Sequence, residues 1–81
     1  MNTIQHEDKQ NICDLLCKTL QATRNYHDLV ALKYEILDND NELVTIQWKN
    51  GFQKVNVSMD SGTAMIRDIM RCLHRLGRWP R

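Results

Sequence analysis

The dipeptide Asn50-Gly51 lies between two runs of alternating apolar and polar residues, and it constrains the fold of this chain more than any other feature. Both residues accept the positive φ angles of a two-residue type I′ turn, which joins neighbouring antiparallel strands. We therefore predict a hairpin formed by "LVTIQWK" before the turn and "FQKVNVSM" after it. Its facing pairs are Lys49 with Phe52, Trp48 with Gln53, Ile46 with Val55 and Val44 with Val57. The apolar residues of the two strands then lie on the same side of the sheet.

A third strand precedes this hairpin. The segment "LVALKYEIL", residues 29 to 37, also alternates, with Val30, Leu32, Tyr34 and Ile36 on one side and Ala31, Lys33 and Glu35 on the other. This is the pattern of a half-buried strand. The acidic segment "DNDNE" at 38 to 42 follows, and because Asp and Asn tolerate turn geometry we predict that the chain reverses there.

Helical periodicity flanks the three strands. From Thr3 to about Arg24 the face-forming positions recur at steps of three and four, at Ile12, Leu15, Leu16, Thr19, Leu20 and Thr23. Thr3 or Asp8 is placed to cap this helix. A second helix follows, with Asp60 or Ser61 as its cap and its apolar positions at Met65, Ile66, Ile69, Met70, Leu73 and Leu76. Gly77 and Pro80 are placed to end it.

These patterns predict a single α+β domain over residues 1–81 with the order αβββα. Two amphipathic helices and a sheet with one apolar side bury their apolar surfaces together when both helices pack on that side. The expected fold is therefore a three-stranded antiparallel meander with two helices packed on one face. The opposite face is left to solvent and carries Lys33, Glu35, Thr45, Gln47, Lys49, Phe52, Lys54 and Asn56.

Composition favours a soluble, intracellular protein. No apolar run approaches the ~20 residues of a membrane span, and the N-terminus lacks the layout of a secretory signal. Cys13, Cys17 and Cys72 are an odd number in a chain without an export signal, which argues against a disulfide framework. We expect a cytoplasmic protein with reduced thiols and no membrane partner.

The sequence carries no recognisable catalytic or metal-binding motif. Cys13 and Cys17 are spaced i, i+4, but the histidines and Cys72 lack the paired spacing of a four-ligand zinc site, so we expect these thiols to pack as small apolar groups. The histidines are scattered, and Gly51 and Gly62 are isolated rather than part of a phosphate-binding loop. We therefore expect a non-enzyme without cofactor or metal.

The αβββα order resembles that of the double-stranded RNA-binding domain, which also packs two helices on one face of a three-stranded antiparallel sheet. The resemblance implies the fold. That family binds RNA through a Gly-Pro-containing loop between its first two strands and a Lys-Lys-rich start of its second helix. Here those positions read "DNDNE" and "DSGTAM", which place acidic or neutral residues where RNA phosphates need positive charge. The fold is therefore expected without the activity.

A second resemblance is local. The segment "WKNGFQKVNVSMDSGTAMIRDIM", residues 48 to 70, is similar to a stretch found in short uncharacterised proteins of Gram-positive bacteria and their phages or mobile elements. The likeness implies a bacterial or phage origin and carries no activity with it.

The C-terminal helix carries the strongest charge feature of the chain. Five of the six arginines lie in residues 67 to 81, whereas the formal net charge of the whole chain is +1. Arg67, Arg71 and Arg75 are spaced i, i+4, i+8 and form a row along one helix flank, which Arg78 extends. Three interpretations stay open: phosphate contacts with nucleic acid, contact with an acidic surface of a protein partner or a second copy, and a solvated flank stabilised by the helix dipole.

Two aromatic residues are candidate anchors for a partner. Trp79 follows the last helix and either folds back onto the core or stays exposed, and Phe52 lies among lysines on the open sheet face. The first and third strands also leave unpaired edges, through which a homodimer can form. We expect a protein-interaction or assembly module, with nucleic-acid binding through the arginine flank as the alternative.

Overall fold

The chain folds in the predicted order of helix, three-stranded meander and helix. The computed structural model describes residues 8–75. These form α1 (Lys9–Gln21), β1 (Leu29–Ile36), β2 (Glu42–Trp48), β3 (Gly51–Asn56) and α2 (Gly62–Arg75). The strands pair antiparallel in the order β1-β2-β3, which confirms the α+β fold.

Both helices pack on one face of the sheet, and the core lies between them and the strands. The helices contribute Cys13, Cys17, Leu20, Met65, Ile69, Cys72 and Leu73 to this core. The rest of the chain contributes Tyr26, Leu29, Leu32, Val44, Ile46, Trp48, Val55 and Val57. Lys33, Glu35, Phe52 and Lys54 on the opposite face are exposed, so that face is open as expected.

The buried face of α1 agrees only in part with the predicted one. Asp8 caps the helix as expected, since its side chain accepts a hydrogen bond of 2.9 Å from the backbone N–H of Asn11. Of the predicted positions, Leu20 is buried and Ile12 and Leu16 pack against the core, while Leu15 is 57% exposed. The other buried positions are Cys13 and Cys17. Reduced cysteine is a small apolar side chain that allows close approach of the helix to the sheet, and the apolar stripe is therefore centred on the thiols.

The hairpin has a different register from the predicted one. Trp48 pairs with Gly51, Ile46 with Gln53 and Val44 with Val55, so the two turn residues are Lys49 and Asn50. Gly51 is the first residue of β3, with a φ of +155° that L side chains rarely adopt. The predicted type I′ turn at Asn50-Gly51 is therefore wrong. Because the register differs by two residues and side chains alternate with period two, each side chain still lies on its predicted face.

A β-bulge changes which residue at the start of β1 is buried. Leu29 pairs with Trp48 and Ala31 with Gln47, which leaves Val30 as the extra residue. Leu29 therefore enters the core and Val30 is 45% exposed, contrary to the simple alternation expected. Ile36, at the other end of the strand, is also exposed.

The turn and cap residues follow the local sequence. The reversal between β1 and β2 uses left-handed backbone at Asn39 (φ 68°) and Asp40 (φ 63°), as the acidic segment predicts. Ser61 is the cap of α2, since its Oγ accepts a hydrogen bond of 3.1 Å from the N–H of Ala64. The predicted helix end at Gly77 and Pro80 lies outside the described residues.

Candidate interaction surfaces

The arginine row occupies the solvent side of α2. Arg67, Arg71 and Arg75 are exposed, and the buried residues Met65, Ile69 and Leu73 hold the other side of the helix against the core. At a rise of 1.5 Å per residue the row extends for about 12 Å. Arg67 Nε lies 3.5 Å from Asp68 Oδ1, and the Arg67 side chain is 57% exposed. Arg78, which was predicted to extend the row, lies outside the described residues.

Two carboxyl groups lie at the N-terminal end of this row. The carboxyl groups of Asp60 and Asp68 lie within hydrogen-bonding reach of each other. Their contact raises the pKa of Asp60 and lowers the pKa of Asp68, so Asp68 is the more readily ionised of the two. The arginine row therefore begins beside a negative charge, which sequence spacing alone did not indicate.

Lysines and one aromatic ring occupy the open sheet face. Lys33, Thr45 and Lys54 form a row across the three strands, and Ala31, Gln47 and Phe52 form the next one. Phe52 is 61% exposed. Lys54 Nζ lies 5.9 Å from the centre of the Phe52 ring, within cation–π range. Residues of these two rows line a shallow depression of about 480 Å³ together with Lys49 and one acidic residue, Glu35.

Polar side chains of α1 bond to part of the outer edge of β1. The side-chain amide of Gln10 donates to the carbonyl of Leu32 (3.1 Å) and accepts from the N–H of Tyr34 (2.8 Å), so it occupies the place of a peptide group in an adjacent strand. Gln21 Nε2 donates to the carbonyl of Leu29 at 2.8 Å. β1 is an outer strand as expected, but side chains of α1 occupy part of its edge, which the expectation of an unpaired edge overlooked.

A cluster around Glu42 joins the first helix to the far end of the sheet. Lys9 Nζ lies 2.6 Å from Glu42 Oε1, and the hydroxyl of Tyr34 donates to the same oxygen at 2.5 Å. The backbone N–H of Met59 donates to Glu42 Oε2 at 3.0 Å. The hydrogen bonds from Lys9 and Tyr34 lower the pKa of Glu42 to about 2. Burial and the bond to Glu42 raise the pKa of Tyr34 to about 12.

No sequence signal identified this cluster. Glu42 stands at the end of an acidic turn segment, and Lys9 precedes it by 33 residues. The cluster pairs each ionised group with an opposite charge or a hydrogen-bond donor, and the Lys9 and Glu42 side chains are only 15% and 14% exposed. We call Lys9, Tyr34 and Glu42 the clamp, because their contacts hold α1, β1 and β2 together.

The cysteines belong to the core. Cys13, Cys17 and Cys72 are buried free thiols, as the core interpretation predicted. Burial raises the pKa of Cys13 to about 11 and also raises the pKa of Cys17, so both thiols are neutral at pH 7. Among residues 8–75, no three His, Cys, Asp or Glu side chains are grouped so that they could hold a metal ion.

Trp79, the other candidate anchor, lies outside the described residues. Within residues 8–75 there is no helix with the length and apolar character needed to cross a membrane.

No protein family, curated protein or solved structure matches this chain. Its function must therefore be inferred from its own surfaces.

Proposed function

We propose that this protein is a non-enzymatic interaction module that binds an acidic protein surface through the arginine row of α2. The carrying observation is the exposure of Arg67, Arg71 and Arg75 along one helix flank, where Asp68 forms the only ion pair with the row among residues 8–75. Guanidinium groups bind carboxylates through two parallel hydrogen bonds. Such a row therefore selects the orientation of the carboxylates that it binds as well as their charge. The resemblance of residues 48 to 70 supports a bacterial or phage protein, and the three free cysteines suit a reducing compartment such as the cytoplasm.

Helix geometry favours an acidic helix as the binding element. Residues four apart on a helix are separated by about 6 Å along its axis. Carboxylates at i, i+4 and i+8 of a partner helix therefore match the spacing of Arg67, Arg71 and Arg75.

Nucleic-acid binding through the same row is the second candidate. The use of arginine throughout the row favours it, since arginine is well suited to phosphate. Two observations weigh against it: the row of Arg67, Arg71 and Arg75 extends for only about 12 Å, and the formal net charge of +1 gives a long polyanion little long-range attraction. Asp68 beside Arg67 disfavours either kind of anion and does not separate the two candidates.

The groups with the largest pKa shifts support a non-enzymatic role. Glu42 and Tyr34 are bonded to each other within the clamp, and Cys13 is fully buried in the core. A shifted pKa marks a reactive group only where a substrate can reach it. The proposed module uses no cofactor.

The test compares two variants of equal charge change. The first carries Arg67→Glu, Arg71→Glu and Arg75→Glu; the second carries Lys33→Glu, Lys49→Glu and Lys54→Glu on the open sheet face. Binding of a labelled helical peptide with glutamates at i, i+4 and i+8, of duplex DNA and of single-stranded RNA is measured by fluorescence anisotropy over a salt series.

The arginine variant should bind the peptide about tenfold or more weakly than the lysine variant, since three surface ion pairs of about 0.5 kcal/mol each are lost. Nucleic-acid binding would be established instead if the protein bound DNA or RNA with a steep salt dependence and only the arginine variant lost this binding. Peptide binding that both variants retain would contradict the role of the row.

A further inference from the structure

The outer edge of β3 has a different surface from the edge of β1. In an antiparallel ladder, residues alternate between those that bond to the neighbouring strand and those whose N–H and C=O groups point away from it. Val57 N–H donates to the carbonyl of Glu42 at 2.9 Å, which places Val57, Val55 and Gln53 in the bonded set. The backbone groups of Phe52, Lys54 and Asn56 therefore point outward.

No described residue covers these outward groups. Within residues 8–75, no hydrogen bond reaches the backbone N–H or C=O of Phe52, Lys54 or Asn56 from outside the strand, whereas Gln10 and Gln21 occupy the edge of β1. The β2-β3 register is also regular from Leu43 to Trp48, with no bulge to turn the edge away. An edge of this kind is a template for a further strand.

The side chains of β3 determine which kind of strand can pair with its outer edge. Phe52 and Lys54 lie on the open face next to the edge, and Lys33 lies two strands away in the same row as Lys54. A second copy that paired its own β3 antiparallel with this one, centred on Lys54, would place the two Lys54 side chains opposite each other, and like charges across strands are destabilising. A strand with carboxylates on this face meets opposite charge instead.

We infer that the edge of β3 binds an extended acidic segment of a partner protein, which adds a fourth strand to the sheet. Backbone hydrogen bonds to Phe52, Lys54 and Asn56 hold the segment. An acidic side chain lies beside Lys54, and an apolar side chain two residues away lies beside Phe52. The inference goes beyond the proposed function, because this surface lies on a different element from the arginine row and does not depend on it.

The test uses a fluorescein-labelled eight-residue peptide in which valine alternates with glutamate or leucine. Its controls are the same peptide with lysine in place of glutamate, and with proline at the centre. Two variants at one position distinguish the contribution of the side-chain charge from that of the backbone hydrogen bond. Lys54→Gln removes the charge and keeps the N–H group, whereas Lys54→Pro removes both. Because the N–H of Lys54 points away from β2, proline here leaves the β2-β3 ladder intact, which thermal melting checks.

We expect Lys54→Gln to weaken binding about two- to fivefold through loss of a cross-strand ion pair. Lys54→Pro should weaken it about tenfold further, because a backbone hydrogen bond is also lost. The charge-reversed and proline-interrupted peptides should bind less than the acidic one. The variant with glutamates at Arg67, Arg71 and Arg75 should bind it like the wild type, which keeps this test separate from that of the proposed function.

Amide hydrogen exchange supplies a second measurement that does not depend on a variant folding. In the free protein the amides of Phe52, Lys54 and Asn56 should exchange faster than that of Tyr34, and the peptide should slow all three. Equal binding by Lys54→Gln and Lys54→Pro, or peptide binding without protection of these amides, would overturn the inference. Protection in the free protein together with a dimer mass by light scattering would also overturn it, since a second copy would then hold the edge.

Discussion

Glu42 joins three separate parts of the chain through one side chain. Its carboxylate accepts hydrogen bonds from Lys9, Tyr34 and the backbone of Met59, and its own backbone N–H donates to Ser58 Oγ at 2.9 Å. A carboxylate with three donors is stabilised in its ionised form, which is the cause of its low pKa. The clamp therefore contributes to the stability of the fold in a pH-dependent way.

Replacement of Glu42 by glutamine should lower the free energy of unfolding at pH 7 by about 1 to 3 kcal/mol, because charge-assisted hydrogen bonds are replaced by neutral ones. The pKa of Glu42 is lowered from 4.5 to about 2, so the stabilisation is complete above pH 4.5 and is lost as the pH falls towards 2. Urea unfolding of Glu42→Gln should consequently show a smaller loss of stability over this range than the wild type. Glu35→Gln, on the exposed face, is the control, and equal acid sensitivity of both variants would contradict the role of the clamp.

Met59 has a backbone conformation that its side chain does not favour. Its φ is 64°, and its side chain is 94% exposed. Left-handed geometry costs an ordinary L residue about 1 to 2 kcal/mol, and here the N–H that this geometry directs towards Glu42 offsets part of the cost.

Met59→Gly should raise the free energy of unfolding by up to about 1 kcal/mol, since glycine adopts this φ without the steric penalty but loses more chain entropy on folding. Met59→Ala is the matched control and should stay within about 0.5 kcal/mol of the wild type. Chemical denaturation of the two variants measures the difference. A destabilised glycine variant would indicate that the methionine side chain makes a stabilising contact.

At the scale of elements, α1 contacts the sheet in two ways. Its buried face, with Cys13, Cys17 and Leu20, closes one end of the core, and Gln10 and Gln21 bond to the edge of β1. The other outer strand, β3, receives no such bonds from the described residues of α2. The two edges of the same sheet therefore differ because their neighbouring helices differ in polar side chains.

The orientation of α1 can be checked with two leucines of the same helix. Leu20 is 6% exposed and Leu15 is 57% exposed. Leu20→Ala should cost about 2 to 4 kcal/mol of unfolding free energy through lost burial and a residual cavity, whereas Leu15→Ala should cost less than about 0.5 kcal/mol. Equal losses in thermal or urea unfolding would show that the helix face is the one expected from periodicity.

For the whole molecule, positive charge is divided between two layers. The arginine row lies on the helical layer, and Lys33, Lys49 and Lys54 lie on the open face of the sheet. The formal net charge of +1 shows that acidic residues elsewhere almost balance them. We therefore propose one acidic element for each surface rather than a single polyanion along both.

Local sequence determined the order of the elements, the Asp8 and Ser61 caps, the left-handed turn at Asn39 and the exposed spacing of the arginine row, because each depends on residues within a few positions of one another. Tertiary structure decided the hairpin register, the bulge that buries Leu29, the face of α1, the Gln10 bonds and the Glu42 clamp. These features join residues distant in the chain, and several local arrangements are compatible with each pattern. Packing into one shared core selects among them, because only one combination buries the apolar side chains and leaves the polar groups bonded.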